Sequence, residues 1–299
     1  MSSNLYLKAL GYNENDRLVI LHADDIGMCQ ATLDAYAGLV DTGLAFTAAT
    51  MVPCPWFPAL ADLCASRSAG IDMGVHLTLT SEWAGYRWGA LSTRDPATGL
   101  LDTDGYLHAA NAPVFEADPA AVAIEMATQV DRALAAGIDV THVDSHMGTV
   151  FHPRFIEGYL NAGLRHGIPP MFPQLDEAGM RAHGIEGREA EMLGSFLDQL
   201  AAQELPILDD LKTVPLDEHE DRLAKTKAVL DSVEPGITYF ILHPAVDTPE
   251  LRAITPHWQA RVGDYEAFTS DAMQRYFEES NLHVIQYRAL RDASAASVI

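Results

Sequence analysis

Two adjacent carboxylates, Asp24 and Asp25, follow the apolar run Leu18–Leu21 and precede Gly27. Further on, His76 stands inside the apolar segment Ile71–Thr80, and His142, Asp144 and His146 share one five-residue stretch. Carboxylate and imidazole are donors that proteins offer to divalent ions, and two imidazoles with one carboxylate leave coordination positions open for catalysis. Asp25, His76 and His146 are the candidate ligands. An acid beside a ligand can take a proton from water as general base, which is the task read for Asp24. His243, in Ile241-Leu242-His243-Pro244, is a candidate to protonate a leaving group or to stabilise an oxyanion.

Each residue also has an ordinary explanation. Adjacent acids after a strand often cap the next helix. A lone histidine such as His76 is more often hydrogen-bonded in a core than metal-bound, and His243 before a proline fits a packed neutral imidazole equally well. On an extended run, His142, Asp144 and His146 fall on one side, so only one of them needs to bind metal. Asp144 would then orient an imidazole or a sugar hydroxyl. His22 shares the face of Asp24 by the same alternation and joins His142 as a supporting candidate. Arg261 is followed by Asp264 and Glu266, which reads as a surface ion pair. The case for a site is the recurrence of donors at matching strand ends.

Strands are expected over Leu18–Ala23, Phe46–Val52, Asp72–Leu79, Asp139–Asp144, Thr238–His243 and His283–Tyr287, with weaker ones near Pro170 and Ile207. Helical spacing runs over residues 31–42, 58–66, 119–136, 153–166, 218–233 and 265–279, with Asp118-Pro119 as an N-cap pair and Gly137 and Gly167 placed past helix ends. Seven or eight βα units imply a parallel sheet closed into a barrel, in which strand ends on one face are neighbours. The connection Ser81–Ala117 is long and carries Trp83, Tyr86 and Trp88, so it is expected to be functional. Those rings could stack on a pyranose, cover the barrel mouth or fill a homo-oligomer interface.

A formal net charge of -23 over 299 residues disfavours nucleic acid and anionic membranes as partners. Residues 1–17 lack an apolar leader and no stretch is long enough to span a bilayer, so a cytoplasmic protein is expected. Cys29, Cys54 and Cys64 are odd in number and lack C-x-x-C spacing, which fits buried, inert thiols.

The ordered set Ala23-Asp24-Asp25-Ile26-Gly27, Gly74-Val75-His76-Leu77-Thr78-Leu79-Thr80, Leu101-Asp102-Thr103-Asp104-Gly105-Tyr106, Thr141-His142-Val143-Asp144-Ser145-His146 and Leu242-His243-Pro244 resembles the YdjC-like carbohydrate deacetylases. That family includes chitooligosaccharide deacetylases and hopanoid-associated relatives, and the resemblance spans nearly the whole chain. It implies a distorted TIM-like (β/α) barrel as a single domain over residues 1–299. It also implies one divalent ion on Asp25, His76 and His146 (zinc, magnesium, manganese, iron or cobalt), Asp24 as base, and hydrolysis of N-acetyl groups from amino sugars or short oligosaccharides. Three departures bear on sugar specificity. Met147-Gly148 stand where members commonly carry a further histidine, Ala245 replaces a glycine after His-Pro, and Glu82–Leu91 is longer than in short members. The rivals are a non-catalytic carbohydrate-binding barrel and another metal-assisted hydrolase such as a sugar phosphoesterase. A base beside a complete ligand set opposes the first, and the scarcity of Lys and Arg near the motifs opposes the second.

Overall fold

A computed structural model describes residues 5–67, 70–174, 187 and 205–297. Its strands are β1 (Arg17–Ile26), β2 (Phe46–Thr50), β3 (Asp72–Leu77), β4 (Val140–Ser145), β5 (Asp210–Thr213), β6 (Gly236–Leu242) and β7 (Leu282–Val284). They form one sheet in the order β4-β3-β2-β1-β6-β5, every pairing parallel, with β7 alongside the N-terminal end of β1. The weaker strands expected near Pro170 and Ile207 are reduced to isolated parallel bridges, Val143–Pro170 and Pro173–Leu208. Leu208 leads two residues later into β5, so these bridges join the two edges of the sheet, in keeping with a distorted barrel.

Most expected helices form within a few residues of their limits, for instance Gln30–Asp41, Pro119–Ala135 and Ile156–Leu164. Asp118 accepts the Ala120 N–H at the start of the second, with Pro119 in its first turn. The single helix expected over 265–279 is instead two, Trp258–Thr269 and Asp271–Glu279. They break at Ser270, whose hydroxyl accepts the Met273 N–H and caps the second helix, a local hydrogen bond that competes with continuing the first.

Strand parity sorts the core. Val19, Leu21 and Ala23 of β1 pack with Phe240 and Leu242 of β6 into the layer between sheet and helices. Leu18 and Ile20 point the other way and meet Ile237 and Tyr239 inside the sheet, with Met171, Leu208 and Tyr287. Tyr6 and Leu7 of the short helix Leu5–Ala9 close the N-terminal end of this inner cluster. The same inward parity continues past Ile20 to His22 and Asp24, so the apolar interior gives way to polar groups toward the strands' C-terminal ends, where parallel barrels carry their sites.

Candidate active site

Two β-bulges build the site. Between Ala23 and Ile26, β1 spends three steps while β2 spends two, and Asp25 sits at φ 63, in the left-handed region. The extra residue breaks alternation, so adjacent acids that would face opposite sides reach one cluster. Neither acid caps the next helix, whose N-cap is Cys29. A second bulge lies on β4, where Val140 and Val143 pair with Met73 and Val75. It brings Thr141 inward together with His142: the Thr141 hydroxyl donates to Asp72 Oδ1 at 2.5 Å, and its oxygen lies 3.1 Å from His142 Nδ1.

Asp25, His76 and His146 converge as expected, with a donor atom from each within 4.8 Å of the others. Asp25 Oδ1 lies 3.4 Å from His76 Nε2 and 3.1 Å from His146 Nδ1. Yet Asp25 Oδ1 makes no hydrogen bond among the described residues. The nitrogens flank the oxygen without directing an N–H at it, as ligands of one ion do. Both imidazoles have the far nitrogen held by a carboxylate: His76 Nδ1 is 2.8 Å from Asp144 Oδ1, and His146 Nε2 is 3.1 Å from Glu82 Oε1. Such outer carboxylates fix the tautomer and ring angle of metal-binding histidines. The donor set therefore fits a divalent ion. Asp24, Asp25, His76 and His146 are 7%, 1%, 2% and 5% exposed, so the cluster is nearly closed to solvent.

The electrostatics follow from this crowding. Burial pushes Asp25 up, but the Arg261 guanidinium, 2.7 Å from its Oδ2, and then His146 outweigh it and hold the carboxyl well below the usual range. Burial opposes charge on His146, yet Glu82 and Asp25 push its pKa up to about 9. His76 is raised well above the ordinary imidazole value by Asp144 and Asp24 against burial. Burial holds His243 below that value, although Asp24 and Asp25 act against it. Its Nε2 is 3.8 Å from Asp24 Oδ2, and its Nδ1 has no hydrogen-bond partner among the described residues.

Two expectations are corrected. Arg261 and Asp264 are not a surface pair: they are 3% and 1% exposed. Lying three apart on the helix Trp258–Thr269, they face the site together. Arg261 pairs with Asp25, while Asp264 accepts the His243 backbone N–H at 2.9 Å and pairs with Arg222. Segment polarity alone cannot distinguish a solvated pair from one buried against a site. Trp88 is 4% exposed, donates its indole N–H to Thr80 O and packs edge-on against Trp83 and Tyr86, so it anchors the loop and offers no face to a sugar. Trp83 is half-buried, its ring 5.8 Å from the Arg261 guanidinium.

The supporting candidates are placed inside the sheet: His22 Nδ1 is 2.6 Å from Asp24 Oδ1, and His22 Nε2 is 2.9 Å from His142 Nε2. Glu82, Tyr239 and Gly74 are contributors that sequence reasoning missed. Tyr239 donates to Asp144 Oδ2 at 3.1 Å. The available signals were Glu82 as the first acid after the strand bearing His76, and Tyr239 as a hydroxyl on an inward β6 position. The three cysteines are buried and free, and burial raises each thiol. No helix among the described residues is long and apolar enough to cross a membrane.

The fold and cluster define a parallel α/β protein with Asp and His groups at its strand ends that could hold a divalent ion. The chain belongs to the YdjC-like proteins, whose family model matches residues 18–279. It is similar to a carbohydrate deacetylase of Thermus thermophilus, 32% identical over 278 residues covering 93% of this chain and 95% of the relative. A carbohydrate deacetylase of Thermoanaerobacter pseudethanolicus is 21% identical, covering 92% and 100%. Among solved structures, a candidate cellobiose-phosphate cleavage protein of Enterococcus faecalis V583 shares the fold at TM-score 0.71 and 18% identity, over 92% of this chain and 99% of that one. An uncharacterised protein of Agrobacterium tumefaciens C58 aligns at TM-score 0.51 and 16% identity, over 92% and 89%.

Proposed function

We propose that this protein is a metal-dependent carbohydrate deacetylase that hydrolyses the N-acetyl group of an amino sugar or short oligosaccharide. The observation that carries the reading is the pairing of two task-specific groups with the Asp25–His76–His146 cluster: Asp24 Oδ2 on one side of His76, 3.7 Å from its Nε2, and His243 within 3.8 Å of that same oxygen. The carbohydrate deacetylases to which the chain is similar over more than nine-tenths of its length support it.

Asp25, His76 and His146 would hold a divalent ion, which when bound would supply Lewis-acid polarisation of the acyl oxygen and acidification of a nearby water. The remaining chemistry belongs to the chain. Asp24 Oδ2 takes the proton of the attacking water. His243, held neutral by burial, receives that proton and hands it to the departing amine, so that the C–N bond breaks with a neutral leaving group. Asp144 and Glu82 keep both imidazoles turned toward the cluster, and Arg261 holds Asp25 ionised. Trp83, partly exposed and 5.8 Å from the Arg261 guanidinium, is the aromatic assigned to the sugar in this reading.

The test is release of acetate and free amine from N-acetylglucosamine and its short oligomers. Chelation should abolish both products and a divalent metal should restore them. Tight sugar binding with neither product across zinc, manganese, cobalt, iron and magnesium would overturn the reading in favour of a binding protein.

A further inference from the structure

A column of polar groups runs down from Asp24 into the sheet interior, where apolar side chains would pack at lower cost. His22, His142, Thr141 and Asp72 are all 0% exposed. From the site inward, Asp24 Oδ1 is 2.6 Å from His22 Nδ1, and His22 Nε2 is 2.9 Å from His142 Nε2. His142 Nδ1 is 3.1 Å from the Thr141 oxygen, and the Thr141 hydroxyl donates to Asp72 Oδ1. Asp72 Oδ2 then accepts the Arg288 backbone N–H at 2.7 Å, at the start of the closing helix Tyr287–Ser297. Every nitrogen of both rings has a partner.

Packing holds the rings as firmly as the hydrogen bonds do. His22 stacks on Tyr239 with centroids 4.5 Å apart, and His142 stacks on Tyr287 at 4.4 Å. Gly74 makes room for His142: a Cβ there would lie 2.4 Å from the ring's Cε1. A buried polar group costs free energy unless it is satisfied, and a fully satisfied network rigidifies its members. This column ends on the carboxylate assigned as the base, and on one oxygen only. Oδ1 is engaged by His22, while Oδ2 is the oxygen facing His76 and His243.

We propose that His22 is the positioning residue of Asp24, its Nδ1–H fixing Oδ1 so that Oδ2 alone takes the proton, and that His142, seated against Gly74, holds His22 in turn. This rests on the deacetylase reading for its kinetic consequence and on geometry alone for the His22–Asp24 bond. For Asp24 to accept at Oδ1, the proton between the two groups must be on His22 Nδ1, which is what the first measurement reads.

Two measurements test it. In the metal-free wild-type protein with nitrogen-15-labelled histidine, the His22 ring should carry a proton at Nδ1; a ring bare at Nδ1 overturns the proposal whatever the activity. In the metal-loaded enzyme, His22→Leu fills similar space without a donor and should lower kcat on the order of 10- to 100-fold, a part of the roughly 10²- to 10⁴-fold that a general base supplies, with KM and metal content unchanged. His22→Asn keeps an N–H at the δ position and should recover most of that loss. Equal kcat in both variants overturns the proposal, as does loss of metal in step with kcat. Loss of a second metal equivalent would instead assign His22, His142 and Asp144 to an ion of their own. Absence of acetate release by wild type would defeat the deacetylase reading, and the ring-nitrogen spectrum would still decide the His22–Asp24 bond.

Discussion

Adjacent side chains carry separate tasks in the proposed mechanism, and substitution would separate them. Asp25 has its oxygens on the histidine cluster and on Arg261, whereas Asp24 has one on His22 and the other toward His243. Asp24→Asn should therefore retain metal and lose turnover on the order of 10²- to 10⁴-fold, the usual scale of general-base loss. Asp25→Asn should lose metal as well, because an amide is a poorer ligand and leaves the Arg261 charge unpaired. Metal analysis of both purified proteins decides, and equal metal in the two would mean that the roles are divided wrongly. The convergence of Asp25, His76 and His146 was legible because each is a strong donor in or at the end of an apolar run. Glu82 was not, since a loop carboxylate gives no periodic signal. The burial of Arg261 was illegible for a related reason: its partner, Asp25, lies far away in sequence.

At the scale of elements, the inner strands were legible from their apolar runs, because they are covered on both faces of a parallel sheet, whereas the edge strand β5, Asp-Leu-Lys-Thr and only partly buried, gave no such run. The bulges were not, because period-two reading assumes the alternation that a bulge breaks. The left-handed backbone at Asp25 and the inward Thr141 are the consequences. Gly74 shows how one strand position serves another: it is small because the β4 bulge delivers an imidazole to the space its side chain would occupy. Gly74→Ala should therefore destabilise the fold by about 1–3 kcal/mol, the usual cost of overpacking a filled interior. Thermal unfolding measures it. An unchanged midpoint would show that the His142 ring yields freely, contrary to its stacking on Tyr287 and its bonds to His22 and Thr141.

For the molecule as a whole, the site gathers Asp24, Asp25, Glu82 and Asp144 in a chain at a formal charge of -23, and among the described residues Arg261 and protonated imidazole compensate them. Stability should therefore depend jointly on metal and pH, and the sign is fixed. His146 has its pKa raised from 6.5 to about 9 by Glu82 and Asp25 against burial. In the metal-free protein its protonated form contributes stability that is fully present below the unfolded value of 6.5 and is lost as pH rises through about 9. A metal requires the unprotonated ring, so its binding releases that proton and strengthens over the same window. Metal at about 100 times its dissociation constant stabilises by about 2.7 kcal/mol. The difference in unfolding midpoint between metal-loaded and metal-free protein should thus widen as pH is raised from 6.5 toward 9, through a falling metal-free midpoint and a tightening ion. Asp25→Asn should flatten the metal-dependent part. A difference that stays constant or narrows across the window would show that protons and metal do not compete at His146, and the ligand assignment would have to move elsewhere.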